Sequence, residues 1–280
     1  MISLVDGNNF FVSCERVFRP DLELTPVIVL SNNDGCAIAR SNEAKALGIN
    51  MGQPYFEIKQ LFHIHNVHVF SSNYALYKDM SQRLMEVLKD FSTNQEIYSI
   101  DETFLDLAGI ANLTAYAYKM QTTVKQYLGL PIGIGIGQTK VLAKFANCLA
   151  KKYSFLHGIC NLAELGETRT NKAMQITPVQ EVWGIGHKLA EQLQLMGIKT
   201  VYDLKCANPK QLRKRFSIHI ERIIHELNGI ACLKVENYSQ PQQQIISSRS
   251  FGKLVTNRDT LIAALTHHIE QASSKLRKNG

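Results

Sequence analysis

Ile97-Tyr-Ser-Ile-Asp-Glu-Thr-Phe-Leu-Asp-Leu107 is an apolar run broken in its middle by two adjacent carboxylates, Asp101 and Glu102. On a straight strand Ile97, Ser99 and Asp101 share one face, and Tyr98, Ile100 and Glu102 the other. An ionised carboxylate inside an apolar strand is costly unless it is paired or holds a metal. Both acids reach one site only if the chain turns there, at a hairpin tip or a bulge. A plain exposed β-turn is the alternative for these residues taken alone. The N-terminus shifts the balance. Ile2, Ser3, Leu4 and Val5 form a short strand that ends in Asp6, followed by Gly7, Asn8, Asn9, Phe10 and Phe11. A carboxylate again stands where a buried strand runs out. Three such acids meeting in one place bind hard divalent cations through oxygen. Two Mg²⁺ about 3.5–4 Å apart activate an attacking oxygen and stabilise a leaving one in phosphoryl transfer.

The remaining composition bounds the class. A chain of 280 residues, 45% hydrophobic and 20% charged, suggests an ordinary globular protein of about two domains. No run of 18 apolar residues predicts a membrane span, and the first residues lack a basic leader and an apolar h-region, which argues against a signal peptide. Cys14, Cys36, Cys148, Cys160, Cys206 and Cys232 form no C-x-x-C pair, so they read as reduced core thiols of a cytoplasmic protein. The net charge of +7 is uneven: residues 1–166 hold 14 Lys and Arg against 15 acids, residues 167–280 hold 17 against 9. A basic second half suggests a polyanionic partner; a solvated basic surface is the alternative.

In order along the chain, Val12–Phe18 reads as a helix ended by Pro20. Pro26–Leu30 and Cys36–Arg40 read as strands about a turn at residues 31–35, and Asn42–Leu47 as a helix stopped by Gly48. His63, His65 and His68 have no flanking ligand to complete a zinc set and read as surface histidines. Asn73–Phe91 and Leu113–Leu128 carry amphipathic periodicity. Pro131-Ile-Gly-Ile-Gly-Ile-Gly137 alternates strictly, a strand with one face of bare glycine that lets a neighbour approach closely. It fits neither nucleotide-binding glycine loop, because Gln138 falls where each needs another residue. Gln138–Lys152 follows as a helix with Lys140, Lys144, Lys151 and Lys152 expected on its exposed side. Strand, helices and an antiparallel hairpin in this order predict an α+β chain with a ferredoxin-like sheet. Residues 167–230 read as helices. Within them Val182-Trp-Gly-Ile-Gly-His-Lys-Leu189 is a helix–hairpin–helix signature, whose Gly184, Ile185 and Gly186 would aim backbone N–H groups at a phosphate. Lys188, Lys210, Arg213, Lys214 and Arg215 would extend that electrostatic track. A mere interhelical turn is the alternative. Glu236–Gln244, polar and proline-containing, reads as a linker.

Together DGNNFF, SNNDGCAIARSNEAKALG, YSIDE and GIGQTKVLAKFAN resemble the Y-family translesion DNA polymerases, nearest the UmuC branch that supplies the catalytic subunit of DNA polymerase V. The resemblance runs in matching order from Met1 to about the last residue. It implies a ferredoxin-like palm at 1–11 and 72–166, a small fingers insertion at 12–71 and a helical thumb at 167–235 containing the helix–hairpin–helix. The linker at 236–244 then leads into an incomplete little finger at 245–280. Ile245–Phe251 resembles that last domain's first strand and Leu261–Leu276 its first helix; its further strands and the clamp-binding peptide are missing, so the chain is expected to be truncated.

By the same resemblance the metal ligands are Asp6, Asp101, Glu102 and the carbonyl of Gly7, holding two Mg²⁺, with Mn²⁺ as a substitute. Phe10 and Phe11 would lie at the incoming nucleotide, Phe11 excluding a 2′-hydroxyl by bulk where the branch more often has tyrosine. A buried aromatic closing the strand–helix turn is the other reading of Phe11. Lys45 and Arg40 would meet the triphosphate or base, with solvent-facing helix charges as the alternative, and Lys151 the β/γ-phosphates, with a structural helix-end lysine favoured by the helix dipole as its alternative. Asn42 stands where many relatives have tyrosine. Arg249, with Lys188 and the hairpin, would hold DNA. The implied activity is error-prone, two-metal transfer from a dNTP to a primer 3′-hydroxyl on primer–template DNA in the SOS response. The implied partners are a processed UmuD dimer, a RecA filament and a sliding clamp, with no membrane. A truncated, non-catalytic DNA-binding remnant is the first rival, and a nucleotide cyclase, which shares such a palm but needs no helix–hairpin–helix, the second.

Overall fold

The glycine face of the strand at residues 132–137 explains how the first half of the chain is layered. A computed structural model of the chain describes residues 1–237, 244–249 and 251–278, with residues 62 and 63 given by their backbone alone. Its elements begin with β1 (Ile2–Gly7), α1 (Phe10–Phe18), β2 (Val27–Leu30), β3 (Ala37–Arg40), α2 (Asn42–Ala46), α3 (Tyr55–His65) and β4 (His68–Phe70). There follow α4 (Tyr74–Lys89), β5 (Gln95–Ile97), β6 (Glu102–Asp106), α5 (Leu113–Leu128), β7 (Ile132–Gly137), α6 (Lys140–Lys152) and β8 (Ile159–Asn161). The rest is helical: α7 (Leu162–Leu165), α8 (Glu167–Ile176), α9 (His187–Leu195), α10 (Val201–Cys206), α11 (Pro209–Arg215), α12 (Ile218–Leu227) and α13 (Arg258–Lys278). The chain divides into two compact units, residues 1–20 with 74–238 and residues 21–73 with 239–280.

The first unit is built on a sheet of order β5-β6-β1-β7-β8, in which β1 runs antiparallel to both β6 and β7. Strand β1, helix α4, hairpin β5–β6, helix α5 and strand β7 reproduce the ferredoxin-like order. The pleat sends Ile2, Leu4 and Asp6 to one face, where Ile2, Leu4 and Phe104 cluster with Ala143 of α6. On that face β7 presents only Gly133, Gly135 and Gly137. A Cβ on Gly135 would lie 2.1 Å from the Asn147 nitrogen and 2.2 Å from the Ala143 oxygen, so α6 rests directly on the strand backbone. The opposite face carries the buried Ile132, Ile134 and Ile136 toward α5.

The helices after β8 share one core with α6, in which Val141, Phe145 and Leu149 meet Met174, Ile185, Leu193, Leu204 and Ile224. A buried acid fastens this junction. Glu226 of α12 is fully enclosed, accepts from the Val141 N–H at the start of α6 (3.1 Å), and accepts from the Cys232 and Leu233 N–H groups (2.7 and 2.8 Å). Thr139, the N-cap of α6, donates to the Glu226 carbonyl at 2.8 Å. A charged acceptor with three backbone donors is a strong arrangement that leaves three orphans when removed. Glu226→Ala is expected to destabilise the chain by roughly 3 kcal/mol or more, and Glu226→Gln by about half that, in urea unfolding. Equal midpoints for Glu226→Ala and the parent chain would refute the keystone role.

The second unit holds a sheet of order β3-β2-β4, with β2 antiparallel to β3 and parallel to β4. Its small core joins Ile28, Leu30, Ala37, Ala44, Ile49, Ile58 and Val67. Ser41 caps α2 by accepting from the Ala44 N–H at 3.2 Å. The helix α13 forms over the Leu261–Leu276 stretch where the resemblance implies one, but none of its residues is buried. The strand expected at Ile245–Phe251 is absent among the described residues, which are irregular there. A single strand gains nothing without a partner edge to bond to. Residues 238–243 of the expected linker, Ser250, Gly280 and the side chain of His63 lie outside the described residues. His65 is exposed and His68 half-buried. Cys14 and Cys160 sit in cores as expected; Cys206 and Cys232 are exposed, a correction to their reading as core thiols. Each ends or follows a short helix whose apolar contacts are made by neighbours such as Leu204 and Leu227.

Candidate active site

Strand register delivers the first pair of acids. Asp6 at the end of β1 stands directly across from Glu102 at the start of β6. Asp101 precedes Glu102 at the hairpin tip, and its carbonyl accepts from the Gly7 N–H at 2.8 Å. The tip is a turn, as the two neighbouring carboxylates require. The Tyr98 and Ser99 N–H groups both donate to the Glu102 carbonyl (3.0 and 3.1 Å). Ser99 Oγ accepts from the Glu102 N–H (3.1 Å) and donates to Asp101 Oδ1 (2.6 Å), fixing that carboxylate. Gly7 is where a side chain would collide with the Phe10 ring, 2.8 Å from its Cδ2.

Facing the acids is a stripe of α6 at positions i, i+4, i+7 and i+11. Lys140 pairs with Glu96, Lys144 with Glu102, Asn147 donates to Asp6 at 3.3 Å, and Lys151 pairs with the same Asp6 oxygen. Lys140 is 4% exposed, and Lys144 is turned inward as well. Their expected solvent exposure is therefore corrected. A buried ammonium persists where a carboxylate is opposite, and the sheet supplies one for each. Only Lys151 and Lys152 of the four reach the exposed side. These residues line a cleft of about 650 Å³ that Asp6, Glu102, Lys144, Asn147, Lys151 and Trp183 share.

Electrostatics mark Asp6 as the acid under most load. Burial pushes its carboxyl up from 3.8 to about 6, the charges of Glu102 and Asp101 push the same way, and Lys151 opposes them. Among the described residues no three His, Cys, Asp or Glu side chains close into a metal-sized cluster, because each acid is turned to its own neighbour. The donor chemistry nevertheless fits hard divalent cations. It is all oxygen, it gathers three carboxylates at two adjoining strand ends, and its innermost acid carries excess negative charge that a cation would relieve.

Phe11 stacks on Tyr77 (centroids 4.3 Å apart, planes 13° apart) with Tyr74 edge-on at 6.1 Å, while Phe10 is buried. Tyr77 is itself tied to Glu15 by a 2.7 Å hydrogen bond. In the second unit Arg40 donates to the Ile49 carbonyl at 2.8 Å, Lys45 lies exposed on α2, and Arg249 is exposed. At the hairpin Gly184 has φ +90°, which favours glycine, and a Cβ there would press Ile223 at 3.0 Å. Ile185 is buried beneath the turn, whereas Gly186 precedes α9 with no side-chain cap, leaving that helix start open. Lys188, Lys210, Lys214 and Arg215 are exposed, and Arg213 pairs with Glu221.

The model of the impB/mucB/samB family matches residues 5–148, half of the chain and the whole stretch that holds the acids. The chain belongs to this family. It is 48% identical to the ImpB protein of Salmonella typhimurium and 44% identical to UmuC of the same species, covering 99% of this chain and 66% of either relative. The chain thus spans just under two thirds of the length of these relatives. Among solved structures it resembles a DinB family error-prone DNA polymerase from Sulfolobus solfataricus, with a TM-score of 0.69 and 24% identity over 85% of this chain and 69% of that one. That likeness speaks to the fold, mixed α and β, as the sequence predicts. Three residues that line the cleft, Lys144, Asn147 and Trp183, and Tyr98 packed against Trp183, carried no role in the sequence reading. The spacing 140, 144, 147, 151 was the available signal, a single helical stripe ending in the expected phosphate contact.

Proposed function

We propose that this chain carries the catalytic part of an error-prone translesion DNA-directed DNA polymerase of the SOS response. The observation that carries the reading is the register of Asp6 against Glu102, with Asp101 bonded across to Gly7, beneath the basic stripe of α6. In this reading Asp6, Asp101, Glu102 and the Gly7 carbonyl hold two Mg²⁺, or Mn²⁺ in their place. Bound there, the cations would supply activation of a primer 3′-hydroxyl and neutralise the leaving pyrophosphate. Lys151, half free of solvent beside Asp6, meets the β/γ-phosphates. Phe11, braced by Tyr77, is the bulk that excludes a 2′-hydroxyl, with Phe10 packed behind the turn. Residues 1–11 and 72–166 serve as palm, 12–71 as fingers with Arg40 and Lys45 toward the dNTP, and 167–235 as thumb. Residues 236–244 serve as linker, leading to the start of a little finger with Arg249 toward DNA. The open start of α9, with Gly184, Ile185, Gly186 and Lys188, holds the DNA backbone without reading bases. By resemblance the partners are primer–template DNA, a dNTP, a processed UmuD dimer, a RecA filament and a sliding clamp, in the cytoplasm. Among the described residues no helix is long and apolar enough to cross a membrane.

Primer extension with Mg²⁺ tests this, run on the chain and on Asp101→Ala. Extension by the parent chain that the substitution abolishes is the expected result. Identical traces for the two proteins would leave the DNA-binding remnant as the better reading.

A further inference from the structure

Glu102 is held by a lysine that is itself caged by the helix–hairpin–helix turn. Lys144 Nζ donates to both Glu102 oxygens, at 3.0 and 3.1 Å. Its ammonium lies 4.6 Å from the centre of the Tyr98 ring and 5.3 Å from that of Trp183. The two rings meet edge to face at 5.4 Å, and Trp183 Nε1 donates to the Tyr98 hydroxyl at 3.0 Å. Phe104 backs both rings at 5.8 and 5.7 Å. Trp183 immediately precedes Gly184, whose positive φ fixes the turn and with it the position of the indole. A partly desolvated ammonium between two aromatic faces and a carboxylate is a firmly placed charge.

We propose that Trp183 is a positioning residue for Glu102, acting through Lys144, and that it links the hairpin to cation binding at the acids. This rests on the proposed two-cation reading. A divalent cation at Glu102 takes the carboxylate oxygens that Lys144 now occupies, so the ammonium moves across the indole face. The coupling is reciprocal: a shift of the hairpin that loosens Lys144 changes how readily Glu102 accepts a cation.

Trp183 is the only tryptophan in the chain, so the tryptophan emission of the intact protein comes from this site alone. Titration with Mg²⁺, followed by fluorescence and by calorimetry, is the test. The expected result is a saturable change in emission with the same midpoint as the heat. In Lys144→Met the internal competitor is gone, so Mg²⁺ binds about tenfold tighter and the emission no longer responds. Heat without an emission change in the parent chain overturns the inference and spares the two-cation reading. So does an undiminished emission change in Lys144→Met. Absence of binding heat in the parent chain overturns both. The parent titration decides without reliance on any variant's folding.

Discussion

Gly135→Ala is expected to destabilise the chain by more than about 4 kcal/mol, enough to remove most of it from the soluble fraction. The added methyl has no room. It would sit 2.1 Å from a backbone nitrogen and 2.2 Å from a backbone oxygen of α6, where no side-chain rotation relieves the overlap. The helix would have to lift from the strand, opening the core that Val141, Phe145 and Leu149 form with the later helices. The neighbouring glycines provide an internal scale. At Gly137 the nearest atoms, the Leu142 Cβ and backbone atoms of Leu142 and Ala143, are 2.7–2.8 Å away, and at Gly133 they are side-chain oxygens of Asn147 and Asn8 at 3.0 and 3.2 Å. Urea unfolding of the three alanine variants should rank the losses Gly135, then Gly137, then Gly133. A Gly135→Ala protein within 1 kcal/mol of the parent, a margin of about the typical single-substitution effect, would show that α6 does not bear on the strand as described.

Periodicity and breaker residues were enough to read the ferredoxin-like order, because alternation and amphipathic spacing are local properties. The strand with a glycine face, the hairpin at the paired acids and the helix at Leu113–Leu128 all follow from a few consecutive residues. What the sequence hid is long-range. Lys140 and Lys144 looked like surface charges because a lysine on a helix belongs in solvent unless an acid waits opposite. Glu96 and Glu102 wait there only once β5, β6 and β1 are in register. Glu226 is hidden in the same way, some 85 residues beyond the N–H that it caps. The strand that the resemblance implies at Ile245–Phe251 is not formed among the described residues for the complementary reason: a lone strand is half of a pair, and its backbone needs an edge to join. Of the site, the three acids stood out because charge interrupts apolar strands, whereas the lysine and asparagine opposite them show only as a helical stripe and the tryptophan only as part of the hairpin signature.

Asp6→Asn separates stability from chemistry, because the two should move in opposite directions. Burial and two neighbouring acids raise the Asp6 carboxyl from 3.8 to about 6. The folded chain therefore holds a proton on Asp6 that the unfolded chain has lost across this window. Stability contributed by that proton is present in full below about pH 4 and is lost as pH rises through about 6. Above that, ionised Asp6 is a standing cost, offset in part by Lys151. Removing the charge is expected to raise stability by roughly 1–3 kcal/mol at pH 8 and to change little at pH 4, measured by urea unfolding in chelator. Primer extension by the same variant should fall by about three orders of magnitude, since an amide is a poor substitute for an anionic oxygen ligand. A variant that is both less stable at pH 8 and fully active would contradict each half of the account. The opposite signs are what a site kept for charge density, at the expense of the fold around it, must show.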